Sequence, residues 1–266
     1  MSAQIAVVFL LTFIIHLIGT LAYALRIAGV RTGRIAVSFA LFNLLMLVSR
    51  TSNTFQVPLL AKHVEENIIT GTLQSAESDF RWLLLASTLA TITGALLIPT
   101  FQRILTKAIE EFGRSRSILR LLLQGVTRFS LRGMREVMSV PVKANLSHLS
   151  LKQVPLDIMI YNMCATALLT VGVFSSLYAG YLDPELRVTA NSLSAVVNGL
   201  STILLFVFID PYLSLLTDDA VTGKVAESHF RHCVVLFIST RLAGTILAQL
   251  ILLPGANIIV RVAKLL

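Results

Sequence analysis

QIAVVFLLTFIIHLIGTLAYAL, residues 4 to 25, runs for twenty-two residues without a single Asp, Glu, Lys or Arg. As a helix it rises about 33 Å, enough to cross the roughly 30 Å hydrocarbon core of a bilayer. The run is continuously apolar, without the period-two alternation of a barrel strand, so its backbone must satisfy itself as a helix. Five further stretches are nearly as apolar, with at most one charged residue each: residues 35 to 57, 82 to 102, 157 to 182, 189 to 213 and 233 to 253. The chain of 266 residues is 55% hydrophobic and 14% charged, against roughly a quarter charged in soluble domains. The expected fold is all-α, a polytopic transmembrane bundle of about six helices. Met1 to Gln4 carries no basic side chain, so the first helix is expected to stay as a span and not to be cleaved as a signal peptide.

The net charge of +8 is concentrated in one place. Residues 103 to 156 hold ten Lys or Arg against Glu110, Glu111 and Glu136, the pattern of a cytoplasmic loop and not of a nucleic-acid surface. Arg26, Arg31 and Arg34 after the first helix agree, and the acidic stretch from Lys62 to Asp79 belongs outside, which puts the N-terminus outside. Asp218, Asp219 and Glu227 inside, with Arg261 and Lys264 outside, fit this orientation less well. Within the loop, Ile118, Leu119, Leu122, Val126, Phe129 and Met134 recur near helical spacing, with Arg120, Arg128, Arg132 and Arg135 on another side. This predicts a basic amphipathic helix on the anionic inner leaflet, serving as a linker or as a regulatory element.

An internal repeat divides the chain. Residues 76 to 81 read AESDFR and residues 226 to 231 read AESHFR, before the third and sixth hydrophobic helices. Arg34 and Pro58 bracket the second helix as Arg187 and Pro211 bracket the fifth, and Gly19 matches Gly172 at the same offset of 153. The expected organisation is a three-helix repeat over 1–105, a basic linker over 106–156 and a second three-helix repeat over 157–266. Three crossings per half make the second copy enter the membrane upside down, the inverted plan on which many transporters place a substrate site near the midplane.

Charge inside hydrocarbon costs about 2.5 kcal/mol or more and so marks a partner or a wet cavity. Arg50 in the second helix shares a side with Asn43, Asn53 and Thr54, and Arg241 in the sixth precedes Thr245 and Gln249. A permanently ionised planar fork of donors suits phosphate oxygens; capping carbonyls or pairing with an acid would satisfy either arginine as well. Asn198 in the fifth helix and His16 in the first complete the candidate substrate-binding set of Arg50, Arg241, Asn43, Asn53, His16, Asn198 and Gln249. Asp210 before Pro211 is either an end-of-helix acid, a partner for an arginine, or a group that couples transport to an ion gradient. The Ser, Thr and Gly stripes of the other helices serve close packing at least as well as a polar path.

No glycine-rich phosphate loop, H-E-x-x-H or G-x-S-x-G occurs, so no cofactor, metal or nucleotide hydrolysis is expected. Cys164 and Cys233 fall within apolar helices and read as packing residues.

The segments VFLLTFIIHLIGTLAYALR, residues 8 to 26, and ALFNLLMLVSRTSNTFQVPLLAKHVEEN, residues 40 to 67, resemble the bacterial Amj family of alternate lipid II flippases. The resemblance implies a multi-pass protein of the bacterial plasma membrane that translocates undecaprenyl-pyrophosphoryl disaccharide-pentapeptide for peptidoglycan synthesis. Its partners would be lipid II and the bilayer, and no nucleic acid. A membrane enzyme acting on a polyprenyl-linked intermediate and a non-catalytic scaffold of cell-wall synthesis are the alternatives. Six helices offer little protein to surround a bulky head group, which leaves either a homodimer sharing the path or an open groove between the halves.

Overall fold

A computed structural model describes residues 3–71, 76–115 and 154–266. The expected amphipathic helix over Ile118 to Met134 lies outside the described residues, as does most of the linker. The described chain is helical, and six stretches of it are long and apolar enough to cross a membrane. They are α1 (Ala3–Thr32), α2 (Ile35–Thr70), α3 (Ala76–Ser115), α4 (Leu156–Leu182), a broken fifth span (Pro184–Val221) and α8 (Glu227–Leu265). The fifth span comprises a 3-10 turn, α5 (Arg187–Ser192), α6 (Ser194–Ile203), a π-helical segment (Leu204–Ile209) and α7 (Asp210–Val221).

All six are longer than the apolar runs that announce them, α4 by a single residue. Hydropathy marks where a helix sits in hydrocarbon, whereas the backbone hydrogen bonds continue through the polar headgroup layer. α1 therefore runs on past Leu25 through Arg26 and Arg31, and AESDFR and AESHFR form the first turns of α3 and α8 instead of preceding them. Pro58, Pro99 and Pro254 lie inside continuous helices. Pro211 does not: its ring removes a donor and crowds the carbonyl four residues back, and there the chain takes the wider π geometry over Leu204–Ile209.

Packing follows one scheme in each half. α1 lies along both α2 and α3, and α4 lies along both the fifth span and α8. Between the halves, α3 meets α8, α2 meets α4, and α1 meets α7. Close approach depends on glycine at equivalent places. A Cβ on Gly94 of α3 would stand 2.8 Å from Cβ of Thr20 on α1, and one on Gly244 of α8 would stand 2.5 Å from the Met163 carbonyl oxygen on α4. These glycines are 150 residues apart, as are the two hexapeptides. The contacts also fix direction. Thr20 beside Gly94 with Arg34 donating to the Ile109 carbonyl shows α3 running in the same direction as α1, Asn162 donating to the Phe237 carbonyl and Ser175 to that of Leu252 set α4 parallel to α8, and Arg31 on Glu227 with Arg241 against Gly19 sets α1 antiparallel to α8.

Among the described residues, three of the five charges that fit the expected orientation least well, Asp219, Glu227 and Lys264, have ion-pair partners. Glu227 accepts from Arg31 at 2.7 Å, and Lys264 lies 3.1 Å from Asp183 at the opposite end of the bundle.

Candidate functional site

The hydroxyl stripes turn out to be seams. Thr12, Thr20, Ser87, Thr91, Thr166, Thr170 and Thr245 are buried between helices, and Thr12, Thr20, Thr91 and Thr170 each donate to the carbonyl four residues back. Small side chains that satisfy themselves on their own helix let neighbours approach closely, so these residues hold the bundle together and do not line an open path.

The second helix differs. Ser38, Ser49, Ser52, Gln56, Leu60, His63 and Val64 form its buried side, where Ser38 donates to the Leu25 carbonyl at 2.6 Å and Gln56 to the Thr12 hydroxyl at 3.1 Å. Asn43, Arg50, Asn53 and Thr54 are all exposed and at 100° per residue share an arc of about 100° beside the buried side. Leu47, Val48 and Phe55 are exposed further round. The helix thus carries a packing side, a polar flank and an apolar flank. Interpolating between the Ser38 and Gln56 contacts puts Arg50 at the depth of the His16 turn of α1. α1 is 30 residues long, about 45 Å, and His16 to Gly19 lies at its centre, so the flank is polar where the bilayer is most apolar.

The face of the fifth span at the offset expected from the sequence is of opposite character. At the offset of 153, Asn43, Arg50, Asn53 and Thr54 correspond to Val196, Ile203, Phe206 and Val207, each more than half exposed. The fifth span thus exposes apolar side chains where α2 exposes polar ones.

Arg241 reaches the same depth from α8. Its Nη2 rests against the place where a Cβ on Gly19 would sit, one turn from His16 and one from Tyr23 along α1. Arg241 Nε and His16 Nδ1 are buried and without a hydrogen-bond partner. The structure therefore brings His16 and Arg241 together and places Arg50 at their level on α2's exposed flank.

The remaining candidates are elsewhere. Gln249 donates to the Arg81 carbonyl at 3.1 Å, and Arg81 donates back to the Gln249 carbonyl at 3.3 Å, a reciprocal tie between α3 and α8. Asn198 packs against Gly172 with its Oδ1 buried and unpaired. Asp210 accepts from Arg26 at 3.1 Å. Sequence reasoning missed Arg26 as a site residue because the apolar run stops one residue before it; a lone intramembrane acid, which requires a cation, was the signal that pointed to it. Among the described residues no group of three His, Cys, Asp or Glu gathers to hold a metal ion.

Comparisons with known proteins complete the description. The sequence model of the family described as "Amj: Alternate to MurJ" matches residues 11–263. The chain is 34% identical over 264 residues, 99% of its own length and 98% of the relative's, to the lipid II flippase Amj of Bacillus subtilis (strain 168). No solved structure matches.

Proposed function

The chain belongs to the Amj family, and from that premise we propose that it is a multi-pass plasma-membrane flippase, a transporter and not an enzyme, that carries lipid II across the bilayer for peptidoglycan synthesis. In this reading Arg50 and Arg241 hold the pyrophosphate, Asn43 and Asn53 meet the sugar-peptide head group, and the polyprenyl tail stays in lipid. The observation that carries it is the polar flank of α2: an arginine and two asparagines exposed at mid-membrane depth, where the matching face of the fifth span is apolar. Such a flank would cost several kcal/mol against hydrocarbon, so it belongs to a wet groove. Shared helix order, matched close-approach glycines and the antiparallel run of α1 and α8 support reading the halves as an inverted repeat with the groove between them.

Two experiments test this. Purified protein in proteoliposomes is expected to move lipid II between leaflets without altering it; covalent change of the lipid would turn the reading to an enzyme, and neither change nor movement to a scaffold. In a background with Cys164 and Cys233 replaced by Ser, single cysteines at Asn43 and Asn53 are expected to react with a membrane-impermeant maleimide, and cysteines at Val196 and Phe206 to resist it. Equal protection at all four positions would put the α2 flank against lipid or against a second protomer, and native-mass measurement of a dimer separates those two cases.

A further inference from the structure

His16, Gly19, Tyr23 and Arg26 follow one another at spacings of three and four along one face of α1, and two ionised groups reach this face from the second half: Arg241 from α8 and Asp210 from α7. Arg241 meets this face at Gly19 and Arg26 holds Asp210 two turns along it, with Tyr23 between them, so two guanidinium groups share one seam with one carboxylate. The Arg26 side chain is 10% exposed and gives one N–H, from Nη2, to Asp210, while its Nη1 is buried without a partner. Asp210 accepts through a single oxygen and is 41% exposed. The Phe39 ring, 5.6 Å from the guanidinium carbon, holds the Arg26 fork in place.

A buried fork with a free donor is poorly served by one half-exposed carboxylate oxygen, because a guanidinium can give two parallel bonds to an oxyanion and an unmet buried donor is costly. Arg241 nearby carries its own buried, unpaired Nε. The three free or half-used donors on one seam suit an anion with more oxygens than a carboxylate has.

We propose that Arg26 and Arg241 form a loading site for the pyrophosphate of a lipid, and that Asp210 is its internal stand-in, holding Arg26 while the site is empty and releasing it when the phosphate arrives. This rests on the flippase reading and adds two residues to it. With the N-terminus outside, Arg26 lies about 10 Å nearer the inner leaflet than the Gly19 level of Arg241, so a lipid arriving from the cytoplasmic side meets Arg26 first. Displacing Asp210 also detaches α1 from α7, which loosens one tie between the halves just as cargo is loaded.

The test titrates the full-length protein in nanodiscs with farnesyl pyrophosphate and, separately, with inorganic pyrophosphate. Asp210→Asn is expected to bind farnesyl pyrophosphate about tenfold tighter than the parent, because the competing anion is gone, and Arg26→Gln at least about tenfold weaker, the scale of a charge-assisted bond gained or lost. Unchanged affinity in both variants, with only lowered thermal stability, would make the pair a structural tie and overturn the proposal while leaving the flippase reading intact. Absence of binding by the parent protein overturns the loading site, while the proteoliposome assay with lipid II decides the flippase reading separately. Equal affinity for inorganic pyrophosphate overturns the assignment to a lipid. Should Asp210→Asn fail to fold, Arg26→Gln decides the question alone.

Discussion

Arg50→Ala is expected to slow lipid II flipping in proteoliposomes at least about tenfold, and to fail to complement a strain without its other lipid II flippase, while leaving expression and melting temperature as they were. Arg50 stands on the exposed flank of α2, and among the described residues no hydrogen bond or ion pair holds its guanidinium, so nothing in the packing needs it. Removing a bidentate phosphate ligand costs about 1.5–3 kcal/mol, a tenfold to hundredfold loss. Arg241→Ala is expected to lose flipping to a similar degree, but for two reasons, since it also empties the space beside Gly19 where its Nη2 lies. Arg50→Lys separates charge from geometry: an ammonium keeps the charge without the fork, so partial activity shows that charge suffices and no activity shows that the fork is required. Full complementation by both alanine variants would discard the pyrophosphate role of the pair.

Much of this architecture is legible in the chain because a bilayer leaves few solutions. Long apolar runs must be helices, and the six expected spans are the six observed. What the pattern could not supply was relative rotation. Thr91 and Thr166 are indistinguishable by type from groove-lining residues, and only packing shows them sealed between helices. Gln249 looked like a free amide until α3 brought Arg81 to it. Hydropathy fades before a helix ends, so the pattern places Arg26 after the first span, although α1 carries it inside the bundle. The side shared by Asn43, Arg50 and Asn53 was legible from spacing alone, and its exposure is what the fold added. The unlike character of the matching face on the fifth span needed both the offset of 153 and the burial of each residue.

Two glycines with similarly crowded surroundings are expected to behave oppositely when given a methyl group. On Gly244 the new Cβ would stand 2.5 Å from the Met163 carbonyl oxygen and 2.8 Å from Cβ of Thr166, and a backbone carbonyl in a packed helix cannot step aside alone. Gly244→Ala must push α8 from α4 along the longest contact of the second half, and overpacking of this kind costs about 1–3 kcal/mol. The expected result is a clear fall in melting temperature, with flipping lost in proportion to folded protein. On Gly19 the methyl group meets only the guanidinium of Arg241, Nη2 foremost with Cζ at 3.1 Å, the end of a flexible side chain that can swing away. Gly19→Ala should therefore leave the melting temperature near that of the parent and still reduce flipping of lipid II, because the guanidinium no longer rests at the centre of α1. Measuring both variants for stability and for flipping per folded molecule decides the matter. Normal flipping by a stable Gly19→Ala protein would show that the position of Arg241 beside α1 has no part in transport.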